Sequence, residues 1–306
     1  MPSGTHEYIK DTRNEHILIY INGEIVPRSD AKVSVFDSGF LLGDGVWEGI
    51  RFHNGHLVYL KEHMDRLYVG AKAIGMDIGM SSNDLTDKIM QTLEANQMHT
   101  DIHLRLIVSR GLKGTPYQHP RVNIGGPTIV IIPEYKIVTD ESKERGLELV
   151  SVKTIRSSQL TQDPKINSLS KFNCIQACIE ADHLGADEGL MLDMNGYVST
   201  CNSTNFFIVR DSEVWTSTGE YCLNGVTRGA IIYLCKKNNI NVYEKNFLIN
   251  DVHTAHEAFV TGTFAGVLPV TKIDQHILSN GKKGTITDML QGIYKKEINN
   301  LYPKNN

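Results

Sequence analysis

Three of the five Asn-Gly pairs in this chain limit its folding more than any other feature. They stand at Asn22-Gly23, Asn54-Gly55 and Asn195-Gly196, each between short apolar runs. A two-residue hairpin loop of the favoured type needs positive φ at both positions, which Asn followed by Gly tolerates best. Its twist matches that of two antiparallel strands. Each pair therefore predicts a hairpin: ILIYINGEIV over 17–26, the run over 51–60, and a third around 195–196.

Helical patterns interleave with these hairpins. Leu60, Met64, Leu67, Ala71 and Ile74 recur on one face of a helix over 60–76, and Ser82 is placed to cap a second reaching Asn96. Leu104–Val108 and Thr128–Ile132 read as strands, joined by the long loop RGLKGTPYQHPRVNIGG. Loops of that length are usually functional or mobile. Leu147–Thr154 starts a second series. Phe172, Ile175, Ile179 and Ala181 follow at helical spacing, with Ser168 or Ser170 as the cap and Gly185 past the end. DEGLMLD reads as a buried strand, and 205–209 pairs with 214–218. A helix over 226–237 is entered through Gly225. Strands at 241–245, 258–261 and 267–271 and a helix over 285–300 complete the chain. The fold class expected is mixed α/β (α+β) with largely antiparallel pairing.

At 306 residues the chain can bury a sizeable core, as one large or two modest domains. The charged DESKERG after 133–139 marks the boundary, giving a smaller domain over 1–135 and a larger one over 136–306. A net charge of -4 offers no basic face for nucleic acid and no polybasic membrane patch. No apolar run is long enough to span a bilayer, and the polar N-terminal MPSGTHEYIKDTRNEH lacks a signal-peptide core. The expectation is a cytoplasmic protein whose five cysteines are free thiols. Cys174 and Cys178, one helical turn apart, read as packing residues, and no metal is expected.

Four stretches carry chemistry. In EHMDRL, Arg66 sits on an amphipathic helix and can hold an anion through a fork of donors. NGVTRG, residues 224–229, is a glycine turn opening a helix, where free N–H groups and the helix dipole favour an anion. TGTFAGVLPV, residues 261–270, offers the Thr263 hydroxyl and the N–H groups near Phe264 and Ala265 to an anion. PKINSLSKFN, residues 164–173, presents lysines where a loop feeds a helix. An amine there suits covalent chemistry with a carbonyl.

Together with GDGVWEGIR and ADEGLMLDMNGYVSTCNSTNFFIV, these stretches resemble the fold-type IV (class IV) aminotransferases over nearly the whole chain. That family includes branched-chain and D-amino-acid aminotransferases and aminodeoxychorismate lyase. The resemblance implies two mixed α/β domains with the cofactor site between them. It also implies pyridoxal 5'-phosphate or pyridoxamine 5'-phosphate as cofactor and a homodimer or higher homo-oligomer. Arg66, Val226, Thr227, Thr263 and Phe264 then fall at phosphate positions. Trp47, His103, Arg105 and Ala265 fall at substrate positions, and Leu42 where branched-chain enzymes have a tyrosine. Arg110, Lys113 and Arg121, on or beside the long loop, are further candidates to trap a carboxylate.

Three positions depart from the pattern. Asn167 stands where the imine-forming lysine belongs, and Lys171 where many members have a tyrosine. Four residues apart, the two share a face if the helix starts early enough, so Lys171 is the expected catalytic amine, with Lys165 as the fallback. Thr200 replaces the glutamate that pairs with the pyridine nitrogen, which weakens the ring as an electron sink. The activity implied is transfer of an amino group between an amino acid and a 2-oxo acid. A lyase or an enzyme that holds its cofactor non-covalently is the first alternative, and a non-catalytic relative binding a phosphorylated ligand the second.

Overall fold

The computed structural model describes residues 10–304; most of the N-terminal stretch discussed above, residues 1–9, lies outside them. The chain forms two compact units. One contains Lys10–Ile137, Ile166–Lys171 and the tail from Tyr302; the other contains Val138–Lys165 and Phe172–Leu301. A single cut at 135/136 therefore misses a detail, because the short segment before Phe172 packs with the N-terminal unit.

The N-terminal unit is a six-stranded antiparallel sheet with helices. Its elements are β1 (Leu18–Ile21), β2 (Glu24–Pro27), α1 (Ser38–Leu42), β3 (Gly45–His53), β4 (His56–Leu57), α2 (Leu60–Ala73), α3 (Ser82–Ala95), β5 (Ile102–Ser109) and β6 (Thr128–Tyr135). The sheet order is β2-β1-β6-β5-β3-β4. The first two Asn-Gly pairs form the β1–β2 and β3–β4 turns, with φ of 48° and 103° at Asn22 and Gly23, and 52° and 83° at Asn54 and Gly55. Ile50, Leu67, Leu85, Ile89, Leu104 and Leu106 lie in one buried core that joins sheet and helices. The cap of α3 is Ser81, whose hydroxyl accepts from the Asp84 N–H, one residue before the Ser82 expected.

The C-terminal unit contains α4 (Asp140–Arg145), β7 (Leu147–Ser151), α5 (Phe172–His183), β8 (Glu188–Leu192), β9 (Val198–Cys201), β10 (Asn205–Arg210) and β11 (Glu213–Thr216). It continues with α6 (Val226–Lys237), β12 (Val242–Glu244), α7 (Ile249–His253), β13 (Glu257–Gly262), β14 (Gly266–Ile273), β15 (His276–Ile277) and α8 (Thr285–Leu301). Its nine strands run in the order β12-β11-β10-β13-β14-β7-β8-β9, with β15 beside β14. β11–β12, β14–β7 and β7–β8 are parallel and the rest antiparallel. The third Asn-Gly pair lies between β8 and β9, which pair antiparallel. Leu149, Leu190, Phe206, Ile208, Val260 and Leu268 fill its core. Ala177 and Ala181 of α5 pack with Val152 and Met191.

α5 begins at Phe172, so residues 167–171 precede the helix and neither Ser168 nor Ser170 caps it from within a longer one. Residues 167–169 pair with β3 instead. The Trp47 N–H donates to Asn167 O at 2.9 Å, and the Leu169 N–H donates to Gly45 O at 2.9 Å. The Ser170 hydroxyl donates to Gly43 O at 3.0 Å. Backbone demand from a strand edge has overridden the local preference for an early helix start.

No helix among the described residues is long and apolar enough to cross a membrane. No cluster of His, Cys, Asp or Glu among them suits a metal ion, and all five cysteines are free thiols.

Candidate active-site segments

The segment over 166–171 carries two of the three residues that depart from the family pattern, Asn167 and Lys171. Asn167 is buried, at 5% exposure. The Lys171 Nζ donates to Asn167 Oδ1 at 3.0 Å and lies 5.4 Å from the centre of the Trp47 ring. The lysine amine thus reaches the place of residue 167 without the helical register expected for it. Lys165, in the other unit, is half-buried, and its N–H donates to Asp163 Oδ1 at 3.0 Å.

Arg66 is held by a buried carboxylate. Its Nε donates to Glu48 Oε1 at 2.7 Å and its Nη2 to Glu48 Oε2 at 2.6 Å. His63 Nδ1 meets the same Oε2 at 2.7 Å. Burial pushes the Glu48 carboxyl up, but the bonds from Arg66 and His63 outweigh it and hold the group below its usual range. Neither Glu48 nor His63 was singled out by sequence. Glu48 was visible only as part of GVWEGIR, and its partners lie on α2.

Of the expected substrate residues, the Arg105 guanidinium stacks on the Trp47 ring at 4.0 Å. His103 sits on β5 over Gly49, where an added Cβ would come within 3.0 Å of its ring. Burial, with Lys136 and Arg105 nearby, pushes the His103 imidazole down to about 3, so it is neutral at pH 7. Arg110 is committed elsewhere: it pairs with Asp44 and donates to the Ile74 and Gly75 carbonyls at the end of α2. Lys113 is buried and donates to Asn123 Oδ1 at 3.0 Å. Arg121 and Leu42 are exposed or nearly so.

In the C-terminal unit, NGVTRG opens α6 as expected. Gly225 is the N-cap and no side chain caps it, which leaves the N–H groups of Val226 and Thr227 in the first turn. A Cβ at Gly225 would lie 2.1 Å from Asn205 Oδ1, so the approach itself requires glycine. The Asn205 Nδ2 donates to Leu223 O at 2.9 Å and holds the turn. The arginine of the motif, Arg228, turns inward to Ser217 O and Glu244. Thr263, Phe264 and Ala265 form the half-buried turn between β13 and β14. The Thr261 hydroxyl beneath it is buried with no hydrogen-bond partner.

Thr200 is buried on β9, and its hydroxyl donates to Thr204 O at 2.7 Å. The Thr204 hydroxyl donates to the fully buried Glu188 at 2.8 Å. Arg156, also missed by sequence, is 8% exposed; its Nη1 contacts Cys174 Sγ and its Nε has no acceptor.

Comparison with known proteins supplies the family. A family model described as amino-transferase class IV matches residues 45–273. Branched-chain-amino-acid aminotransferase-like protein 1 of Arabidopsis thaliana is 39% identical over 92% of this chain and 51% of its own length. The chain spans about half the length of this relative and of the similar protein 2, at 50%. The putative branched-chain-amino-acid aminotransferase of Methanocaldococcus jannaschii is 38% identical over 90% of this chain and 95% of its own. Among solved structures, the branched-chain aminotransferase of Thermoproteus uzoniensis with norvaline is 27% identical. It superposes with a TM-score of 0.84 over 94% of this chain and 97% of its own.

Proposed function

The chain belongs to the class IV amino-transferase family, and from that premise we propose that it is a pyridoxal-phosphate-dependent aminotransferase working between an amino acid and a 2-oxo acid. The observation that carries this reading is the Lys171 amine, 3.0 Å from the side-chain oxygen of Asn167, the residue in the family lysine's position. The uncapped N-terminus of α6 and the glycine forced by Asn205 fit a phosphate. When bound, pyridoxal phosphate supplies the carbonyl that takes up the amino group and the ring that withdraws electrons.

The chain's own residues divide the remaining work. Lys171 provides the amine and carries the proton, and Asn167 Oδ1 orients that amine by accepting from it. In the N-terminal unit Arg66 is the group suited to phosphate; in the C-terminal unit the Val226 and Thr227 amides, the Thr227 hydroxyl and the turn at Thr263 and Phe264 are. Thr200 donates its proton to Thr204 O, so it offers a ring nitrogen only an acceptor. In the N-terminal unit Arg105, steadied on Trp47, is suited to a substrate carboxylate and His103 offers a neutral imidazole; in the C-terminal unit the turn at Ala265 is the candidate for a carboxylate. The exposed apolar face of α5, with Phe172, Ile175 and Ile179, supports a homodimer. Free cysteines agree with a cytoplasmic enzyme.

Asn167 and Thr200 favour one second reading: a family member that binds its cofactor non-covalently, as pyridoxamine phosphate or in a lyase reaction. Borohydride treatment of the loaded protein, followed by peptide mapping, separates the two. The first reading expects the label on Lys171, and Lys171→Ala should lower turnover about 1,000-fold. A label on Lys165 moves the amine. Turnover without any labelled lysine selects the second reading. No cofactor uptake at all removes both and leaves a non-catalytic relative.

A further inference from the structure

We propose that Glu48 is a positioning residue for phosphate recognition: it grips Arg66 from behind and sets which edge of the guanidinium meets an anion. The inference rests on the aminotransferase reading above. A guanidinium carries five N–H donors in a fixed plane. The two bonds to Glu48, from Nε and Nη2, form a side-on fork. That fork fixes the plane and the rotation of the group, and directs its outer edge away from the carboxylate.

Exposure within the trio supports an outward role. Glu48 and His63 are 0% and 1% exposed, whereas Arg66 retains 16%. Only the arginine reaches a surface. A buried ion pair is a weak device for stability alone, since well-packed apolar groups often serve as well. Here the carboxylate has two basic partners, and one of them, Arg66, is partly exposed. His63 Nδ1 shares Oε2 with Arg66 Nη2 and helps to fix the carboxylate itself.

The fork also predicts what a neutral replacement does. Glutamine at 48 keeps one acceptor but puts an NH₂ group against a donor of Arg66 or His63, so the fork is lost. Aspartate keeps the charge but withdraws it by one methylene. In both variants Arg66 remains, and only its orientation suffers.

The test compares pyridoxal 5'-phosphate with pyridoxal, which lacks the phosphate, by fluorescence titration of the full chain. Wild type is expected to favour the phosphorylated form strongly. Glu48→Gln should weaken pyridoxal 5'-phosphate at least tenfold while changing pyridoxal less than twofold. Glu48→Asp should fall between. Combining Glu48→Gln with Arg66→Ala should be no worse than Arg66→Ala alone, because the carboxylate acts only through the arginine. A general structural role would weaken both ligands alike and add to Arg66→Ala; either result overturns the proposal, as does unchanged discrimination in Glu48→Gln. If Glu48→Gln does not fold, Glu48→Asp decides: full wild-type discrimination in it overturns the proposal. If wild type binds neither ligand, the aminotransferase reading fails and this inference falls with it.

Discussion

The two units equip their candidate segments in opposite ways. The N-terminal unit relies on charged side chains and keeps them in place with polar partners, two of them charged: Arg66 on Glu48, Arg110 on Asp44, Lys113 on Asn123. The C-terminal unit relies on main-chain amides and hydroxyls at α6 and at the β13–β14 turn. It turns the one arginine of its motif, Arg228, inward to Ser217 and Glu244. A side-chain anchor is strong and can be deleted by one substitution. A main-chain cradle survives most substitutions, because the donors belong to the backbone, but it does not tolerate an atom where the chain must come close.

The largest effect should separate these two designs directly. Arg66→Ala removes a charged, forked donor and is expected to weaken phosphate-bearing ligands about 100-fold, as loss of charge-assisted bonds generally does. Thr227→Val removes only a hydroxyl and leaves both first-turn amides, so about tenfold is expected. Isothermal titration with pyridoxal 5'-phosphate measures both. Equal losses would erase the distinction between the two designs.

The reverse test strikes the backbone. Gly225→Ala places a Cβ 2.1 Å from Asn205 Oδ1, although the φ of -63° at Gly225 is allowed to any residue. The strain is therefore contact, not torsion. About 2 kcal/mol of destabilisation is expected, typical of overpacking a tight site, and thermal unfolding reports it. Asn205→Ala in the same chain removes the atom in contact. It should recover part of the loss, though it also gives up the bond to Leu223 O that holds the turn. If Gly225→Ala melts like wild type, the close approach is not what demands glycine there.

Legibility in the sequence follows the same division. The Asn-Gly turns and the start of α6 could be read because each depends on a local conformational need that few residues meet. The folding of 167–169 onto β3 could not. It is fixed by bonds to Gly45 and Trp47, far back along the chain, and these override Ser168 and Ser170 as caps. Lys171 still approaches Asn167, but by a route that helical spacing does not describe. Glu48 and His63 were hidden for a similar reason. Their value lies in a strand and a helix coming together, and a glutamate within GVWEGIR carries no mark of which cation it will face. Arg156 gives no signal beyond being an arginine in a loop, and only its burial distinguishes it.

Acid should find the charged unit first. His103 is held down to about 3 from an ordinary value of 6.5, by burial and by the charges of Lys136, Arg105 and His63. The unfolded chain therefore binds this proton below pH 6.5 while the folded chain does not until about pH 3. The difference favours unfolding, so stability is lost as pH falls through that window. In the C-terminal unit, burial raises the Asp274 carboxyl, but bonds from Ser151 and His253 outweigh it and leave the group below its ordinary 3.8. Its contribution starts to fade only near that ordinary value, later in an acid titration. His103→Gln is neutral at every pH and should flatten the early loss, by about 1 kcal/mol at pH 4.5 after discounting for solvent screening. The chain has two tryptophans, Trp47 in the N-terminal unit and Trp215 in the C-terminal unit. With Trp215→Phe as background, Trp47 fluorescence follows the N-terminal unit during thermal unfolding between about pH 6.5 and 4.5. A His103→Gln melting temperature that falls with pH as steeply as its parent's would show that the imidazole is not the group that makes this unit yield first.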